Sequence, residues 1–188
     1  MKRSLGPKPV VYPAPVFVIG TFDSSGKANA MTVAWGGICC SRPPCIGISL
    51  RKATYTYNNI MVRRSFTVNI PSERYVKEVD YLGIYSGREH DKFAYTGLTS
   101  VKGTMVDAPY IDEFPLVLEC SLIKNIELGL HTLFIGEIKD IKVDEAVMTE
   151  DNLIDIEKVR PIVYAPELRK YFQIGRFLGK SFSIGKKD

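Results

Sequence analysis

Residues 16–35 read VFVIGTFDSSGKANAMTVAW. Two runs rich in β-branched and aromatic side chains, 16–22 and 29–35, flank the turn cluster Asp23-Ser24-Ser25-Gly26-Lys27. That pattern predicts an antiparallel hairpin. Successive strand residues point to opposite faces. On the second strand Asn29, Met31, Val33 and Trp35, the chain's one tryptophan, share one face, while Ala30, Thr32 and Ala34 occupy the other. One face is bulky and its opposite nearly bare, so either another layer of the protein or a ligand approaches the small side closely.

Working outward, residues 45–51, 66–70, 116–124 and 132–143 carry the same strand signature. In 116–124, Leu116, Leu118, Cys120 and Leu122 alternate with Val117, Glu119, Ser121 and Ile123, a half-buried pattern. In 132–143 the apolar phase slips between Phe134-Gly136-Ile138 and Ile141-Val143, which predicts a bulge where a sheet curls on itself. Helices are predicted over 55–64 and from Ser72, as the cap, to Gly83, as the stop. Strands and helices do not alternate as in a doubly wound fold. The expectation is a mainly β chain: a barrel of at least six antiparallel strands with a few peripheral helices, one domain over residues 1–188.

Composition narrows the function classes. The 188 residues are 45% hydrophobic and 24% charged with a net charge of +4, part of it terminal at Lys2, Arg3, Lys186 and Lys187. No concentrated basic stripe marks a nucleic-acid partner. No apolar run approaches the roughly 20 residues that cross a bilayer, and MKRSLGPKPVVYPAP is broken by four prolines, unlike a signal peptide. The expected setting is cytoplasmic, without membrane association. Cys39, Cys40, Cys45 and Cys120 form no CxxC and no paired His/Cys spacing, so they read as free thiols, with a redox role for the first three left open.

Familiar chemical signatures are missing. There is no GxGxxG, GxxxxGK[ST], GxSxG or HExxH, and His90 and His131 are the two histidines. What remains is a set of strand ends and loops. In SLRKATYTYNNI (49–60), Ser49, Arg51, Lys52, Thr54, Thr56 and Asn59 stand where a strand passes into a helix. Hydroxyls, a cation and helix N-terminal amides suit a phosphate monoester; a capped helix beside a solvated basic turn accounts for the same residues. GREHDKF (87–93) reads as a solvated charged loop, with Lys92 beside Phe93 as its candidate anion contact. His131, at the start of a long strand, serves equally as a partner for a heterocycle or as a half-exposed strand histidine.

Taken together, NAMTVAWGG, SRPPCIGISLRKATYTYNNI, FTVNIPSE, DKFAYTGLT, GLHTLFIGEIKDI and YFQIGRFLGKSFSIGK resemble, in order, the flavin reductase-like, flavoredoxin-type family of FMN-binding split barrels. The resemblance implies an antiparallel split β-barrel and a homodimer with FMN near its interface. It implies that Asn29, Met31, Thr32, Ala34 and Trp35 line the isoalloxazine and ribityl chain, that Ser49, Leu50 and Arg51 add contacts from the next strand, and that Arg51, Thr56 and Asn59 serve the phosphate end. Lys92 is implied as a further contact. His131 is implied near the flavin ring as the catalytic candidate, where NAD(P)H docks as a transient substrate.

Hydride chemistry belongs to such a cofactor, so the protein needs no strong acid or base. The implied activity is hydride transfer from NAD(P)H to FMN and delivery of electrons to free flavin, ferric iron or a protein carrier. An FMN-carrying electron-transfer protein without NAD(P)H activity, and a β-barrel binding module with another ligand or none, are the alternatives. Cys45 and His131 meeting beside the flavin as a transient metal-ion site is a further expectation, resting on ligand softness.

Overall fold

The computed structural model describes residues 1–186; Lys187, counted above among the terminal cations, lies outside them. The strands are β1 (Ala14–Pro15), β2 (Phe17–Phe22), β3 (Ala28–Val33), β4 (Gly36–Ser41), β5 (Pro44–Arg51), β6 (Ser65–Ile70), β7 (Ser100–Lys102), β8 (Pro109–Ile111), β9 (Leu116–Leu128), β10 (His131–Val143), β11 (Ile162–Ala165) and β12 (Lys170–Gln173). Seven of them form one antiparallel sheet in the order β3-β2-β6-β9-β10-β5-β4. Its two edge strands are consecutive in the chain, joined by Ala34 and Trp35 alone, and Val33 at the end of β3 packs in one core with Ile46 and Ile48 of β5, the neighbour of β4. The sheet therefore curls until its edges meet, giving the expected antiparallel split barrel. Smaller sheets, β1-β11-β12 and β7-β8, pack outside it.

The predicted hairpin pairs Phe17 with Val33 through Phe22 with Ala28. Its continuous apolar character follows from burial on both faces. Ile19 and Val33 point into the barrel with Ile48, Phe66 and Phe134. Val18 and Ala30 point outward into a second core with Val79, Leu82 and Ile111. The predicted bulge is present as register shifts in the β9–β10 ladder at Ile135/Gly136 and Ile138/Asp140. A side chain at Gly136 would stand 2.5 Å from the Phe66 ring, so the barrel closes there only because the position is glycine.

Four α-helices flank the barrel: α1 (Tyr55–Arg63), α2 (Val76–Ile84), α3 (Lys92–Thr96) and α4 (Ile156–Val159). In α1 the Thr54 hydroxyl caps the Tyr57 amide, and Arg64 ends the helix in the left-handed region with φ 56°. The second helix departs from expectation. Ser72 makes no side-chain cap; a 3-10 turn over Glu73–Tyr75 intervenes, and α2 begins at Val76. Gly83 does not stop α2 but lies within it, where a Cβ would come 3.3 Å from Thr32. Strand β3 also ends two residues before the expected 35, because Ala34 and Trp35 form the crossing to β4.

A buried carboxylate ties the β7–β8 region to the barrel. Glu119, on β9, is fully buried and accepts from the amides of Thr104 (3.2 Å), Met105 (2.7 Å) and Val106 (3.1 Å) and from Lys142 Nζ (2.9 Å). Burial pushes its carboxyl up, but the hydrogen bonds from Lys142, Met105 and Thr104 outweigh this and hold it below the ordinary glutamate value. Glu119→Ala strands three amides and leaves Lys142 with Asp140 as its remaining carboxylate, and is expected to destabilise by about 3 kcal/mol in urea unfolding. A carboxyl held low when folded contributes fully above its unfolded pKa, and that contribution disappears as pH falls through the lower folded value. Wild-type stability should therefore drop relative to Glu119→Gln on acidification below about pH 4.3, the ordinary glutamate value; parallel curves would contradict this.

Candidate functional site

A cleft of about 370 Å³ opens between the barrel and the α2–α3 region, within the size range of small-molecule sites. Strand β3 supplies Asn29 and Met31, β5 ends in it at Arg51, and residues 53–56 bring the start of α1. The end of α2 and the loop to Glu89 form the opposite wall, with Lys92 beneath. Of the residues implied by resemblance, the cleft gathers Asn29, Met31, Arg51, Thr56 and Lys92.

The floor is a polar knot. Asn29 Nδ2 donates to Thr56 Oγ1 at 2.9 Å and, more weakly, to Thr21 Oγ1 at 3.4 Å, which also accepts from Asn59 Nδ2 at 3.1 Å. All four residues are buried, so Asn59 lies under the floor and orients Asn29 through Thr21. Asn29 Oδ1 is left without a donor, one of three such buried side-chain atoms among the described residues. Gly87 passes directly over it; a Cβ there would stand 2.1 Å from that oxygen. A buried unpaired acceptor is costly unless a ligand satisfies it.

Lys92 is the second unfinished group. Asp91 caps α3 by accepting from the Ala94 amide at 3.1 Å, and so places Lys92 inward. The side chain is only 4% exposed, and Nζ donates to the carbonyls of Ala30 (2.8 Å) and Leu82 (2.7 Å). An ammonium has three donors, and no carboxylate is among its hydrogen-bond partners. Burial alone pulls its pKa down to about 8. The solvated-loop reading of 87–93 is thus corrected: Lys92 belongs to the interior because β3 and α2 offer it carbonyls.

At the other end, positive charge accumulates around the N-terminus of α1. Arg88 Nη1 donates to the Ala53 carbonyl at 2.8 Å, and its guanidinium lies 5.5 Å from the Tyr55 ring centre. Tyr55 is itself fixed by donating to Asp23 Oδ2 at 2.7 Å. Arg51 and Arg88 flank free amides of a nine-residue helix, an arrangement that favours an anion. Sequence reading missed Arg88, Gly87 and Tyr55; the signal for the first two was the small-basic pair in GREHDKF, read as solvated, while Tyr55 stood unremarked in SLRKATYTYNNI. Tyr85, also lining the cleft, begins an aromatic ledge with Tyr81 (4.5 Å) and Tyr95, which stacks on Tyr81 at 4.0 Å and 8°.

The remaining expected residues lie elsewhere. Thr32 and Ala34 line an adjoining hollow of about 240 Å³ with Tyr164 and Tyr171, sharing Gly83 and Ile84 with the cleft. Leu50 is in the barrel core. Ser49 and Trp35 are half-buried and joined by a backbone bond that extends the β4–β5 ladder by one rung. His131 is half-buried outside the cleft lining, directly across the β5–β10 ladder from Arg51. Cys45 pairs with Glu137 on that ladder while His131 pairs with Arg51, six positions or about 20 Å away at the strand rise. The expected Cys45–His131 metal site is therefore ruled out by distance, and no cluster of three or more His, Cys, Asp or Glu suited to a metal occurs among the described residues.

This architecture has close counterparts. The solved flavoredoxin of Desulfovibrio vulgaris (Miyazaki F) is 55% identical with a TM-score of 0.95, covering 99% of this chain and 100% of that one. The flavoredoxin of Methanosarcina acetivorans is 31% identical with a TM-score of 0.92, covering 99% and 98%. A ferric-chelate reductase (NAD(P)H) of Archaeoglobus fulgidus is 26% identical over 134 residues, 70% of this chain and 78% of that protein. The model of the flavin reductase like domain matches residues 10–174, and with these likenesses places the chain in the flavin reductase-like family.

Proposed function

We propose that the cleft binds FMN and that the chain, as one FMN-binding domain over residues 1–188, is an oxidoreductase that accepts hydride from NAD(P)H and passes electrons onward. The observation that carries this reading is the pair of unfinished buried groups, the Lys92 ammonium and Asn29 Oδ1, in the same cleft as Arg51 and Arg88. The donor set fits the cofactor. Arg51, Arg88 and the α1 amides suit a phosphate, Asn29 Oδ1 suits a ribityl hydroxyl or ring N–H, Met31 offers an apolar wall, and Lys92 suits an electron-rich oxygen or nitrogen of the ring. FMN, when bound, supplies the hydride- and electron-accepting chemistry. The protein's part is to bind, orient and screen it. His131, across the ladder from Arg51, is assigned in this reading to the rim as the contact for an approaching nicotinamide.

Homodimer formation belongs to the same proposal. Ile84 (65% exposed) and Tyr95 (71% exposed) lie at or beside the cleft mouth, and a second copy would cover them. The second reading is an electron carrier without NAD(P)H activity, favoured by the likeness to two flavoredoxins. Stopped-flow mixing of the FMN-loaded protein with NADH and NADPH separates the two: prompt bleaching near ~450 nm, the flavin's own band, is expected of the reductase, and its absence leaves the carrier. A purified protein that takes up no FMN refutes both.

Two binding experiments follow from the cleft. Arg51→Ala should weaken FMN at least about tenfold in a fluorescence titration, since a charge-assisted hydrogen bond contributes about 1.5–3 kcal/mol; unchanged affinity removes Arg51 from the phosphate site. Lys92 supplies a pH signature. Because its ammonium is lost above about pH 8 in the free protein, a ligand that needs the charged form keeps its affinity below that pH. Above it, affinity falls by about tenfold per pH unit. Lys92→Met should bind more weakly and lose this step.

A further inference from the structure

The hairpin of β4 and β5 carries three of the four cysteines, and its geometry is specific. The strands are joined by a two-residue turn, Arg42-Pro43, closed by the pair Ser41–Pro44. The next rung pairs Cys40 directly with Cys45. A register shift between Ile38 and Cys40 makes Cys39 the extra residue of a bulge, so β4 presents two thiols against one on β5. Cys40 is exposed on an edge strand, with its Sγ 3.3 Å from the Arg42 carbonyl, while Cys45 is only 2% exposed.

We propose that Cys40 and Cys45 form a reversible dithiol–disulfide pair that exchanges with small disulfides of the glutathione class. Directly opposed residues of an antiparallel ladder have Cα atoms about 4.5–5.5 Å apart, inside the window of about 4.4–6.8 Å that a disulfide requires. All four cysteines are free thiols, and Cys40 and Cys45 occupy one rung of the β4–β5 ladder. The metal alternative is excluded by geometry among the described residues. Closing so short a loop adds little chain-entropy stabilisation, and an exposed bond of that kind is readily reversed.

Exposure assigns the order of attack. The Cys40 thiolate attacks one sulfur of the small disulfide, forming a mixed disulfide and releasing one small thiolate. Cys45, whose thiol is pushed up by burial and by the neighbouring Cys40 and Cys39, is the resolving group. It gives its proton to solvent, attacks Cys40 Sγ and expels the second small thiolate. Two protein thiols are oxidised, one small disulfide is reduced to two thiols, and the two protons lost by the protein end on those products.

The test is incubation of the full-length FMN-loaded protein with oxidised glutathione, followed by alkylation, intact mass and peptide mapping. The expected result is loss of two of the four alkylatable thiols, a Cys40–Cys45 link, and full recovery with dithiothreitol. Cys45→Ser should stop at a glutathione adduct on Cys40. Cys40→Ser, an exposed substitution that does not touch the core, should leave Cys45 unoxidised. Cys39→Ser should behave as wild type. Four unreacted thiols, a wild-type protein arrested as the mixed disulfide, or a link through Cys39 would each overturn the assignment.

Discussion

The burial of the β2–β3 hairpin on both faces is the constraint from which the site follows. Ile19, Met31 and Val33 fill the barrel, while Val18 and Ala30 are covered from outside by Val79 and Leu82 of α2. Small residues on the outer side of β3 let the helix come close. The Thr32 hydroxyl donates to the Val79 carbonyl at 2.5 Å, and Gly83 rests against Thr32. With α2 seated there, its final turn delivers the 85–89 loop across the cleft and α3 inserts Lys92 beneath it. Larger side chains at 30 and 32 would lift the helix, and with it the whole outer wall. The bare face of β3 is thus filled mainly by protein, and only its end at Thr32 and Ala34 opens into a hollow.

Charge is distributed in the opposite spirit to packing. The barrel exterior satisfies its buried carboxylate completely, with Glu119 taking three amides and an ammonium. The cleft does not: Lys92 has two neutral carbonyls, and Asn29 Oδ1 has nothing. Buried groups of both kinds are unfavourable in a purely structural role, and perturbed titration clusters at functional sites. One molecule thus holds a fully satisfied scaffold carboxylate beside two cleft groups left short of partners, the contrast on which the proposed binding role rests.

How much of this was legible follows the range of the interactions. The hairpin, the α1 cap at Thr54 and the bulge in β10 are written in neighbouring residues, and all are found. Strand β4 escaped because GGICCS is an edge strand with four exposed positions, so no alternation of polar and apolar residues marks it. Gly83 read as a helix stop because glycine usually serves there; here it is set by a contact with Thr32, more than fifty positions away in the chain. Lys92 was singled out, but its burial escaped for the same reason, since it depends on carbonyls of β3 and α2. Arg51 and Thr56 were found because a strand end feeding a capped helix is a local pattern. The link from Asn59 through Thr21 to Asn29 was not, because it joins three elements.

The poverty of acid–base residues, with two histidines in the chain, becomes intelligible in this arrangement. A site that positions an electron-accepting ring needs donors, acceptors and shape, and each group in the cleft is of that kind. Its one strongly perturbed base, Lys92, is anchored by two carbonyls and therefore cannot swing toward a reacting proton without breaking both bonds. It is suited to hold a partial negative charge in place and poorly suited to shuttle protons. His131 sits across from Arg51 on the β5–β10 ladder, outside the cleft lining. Under the proposed function, anchoring belongs to the interior and any adjustable contact to the edge of the cleft.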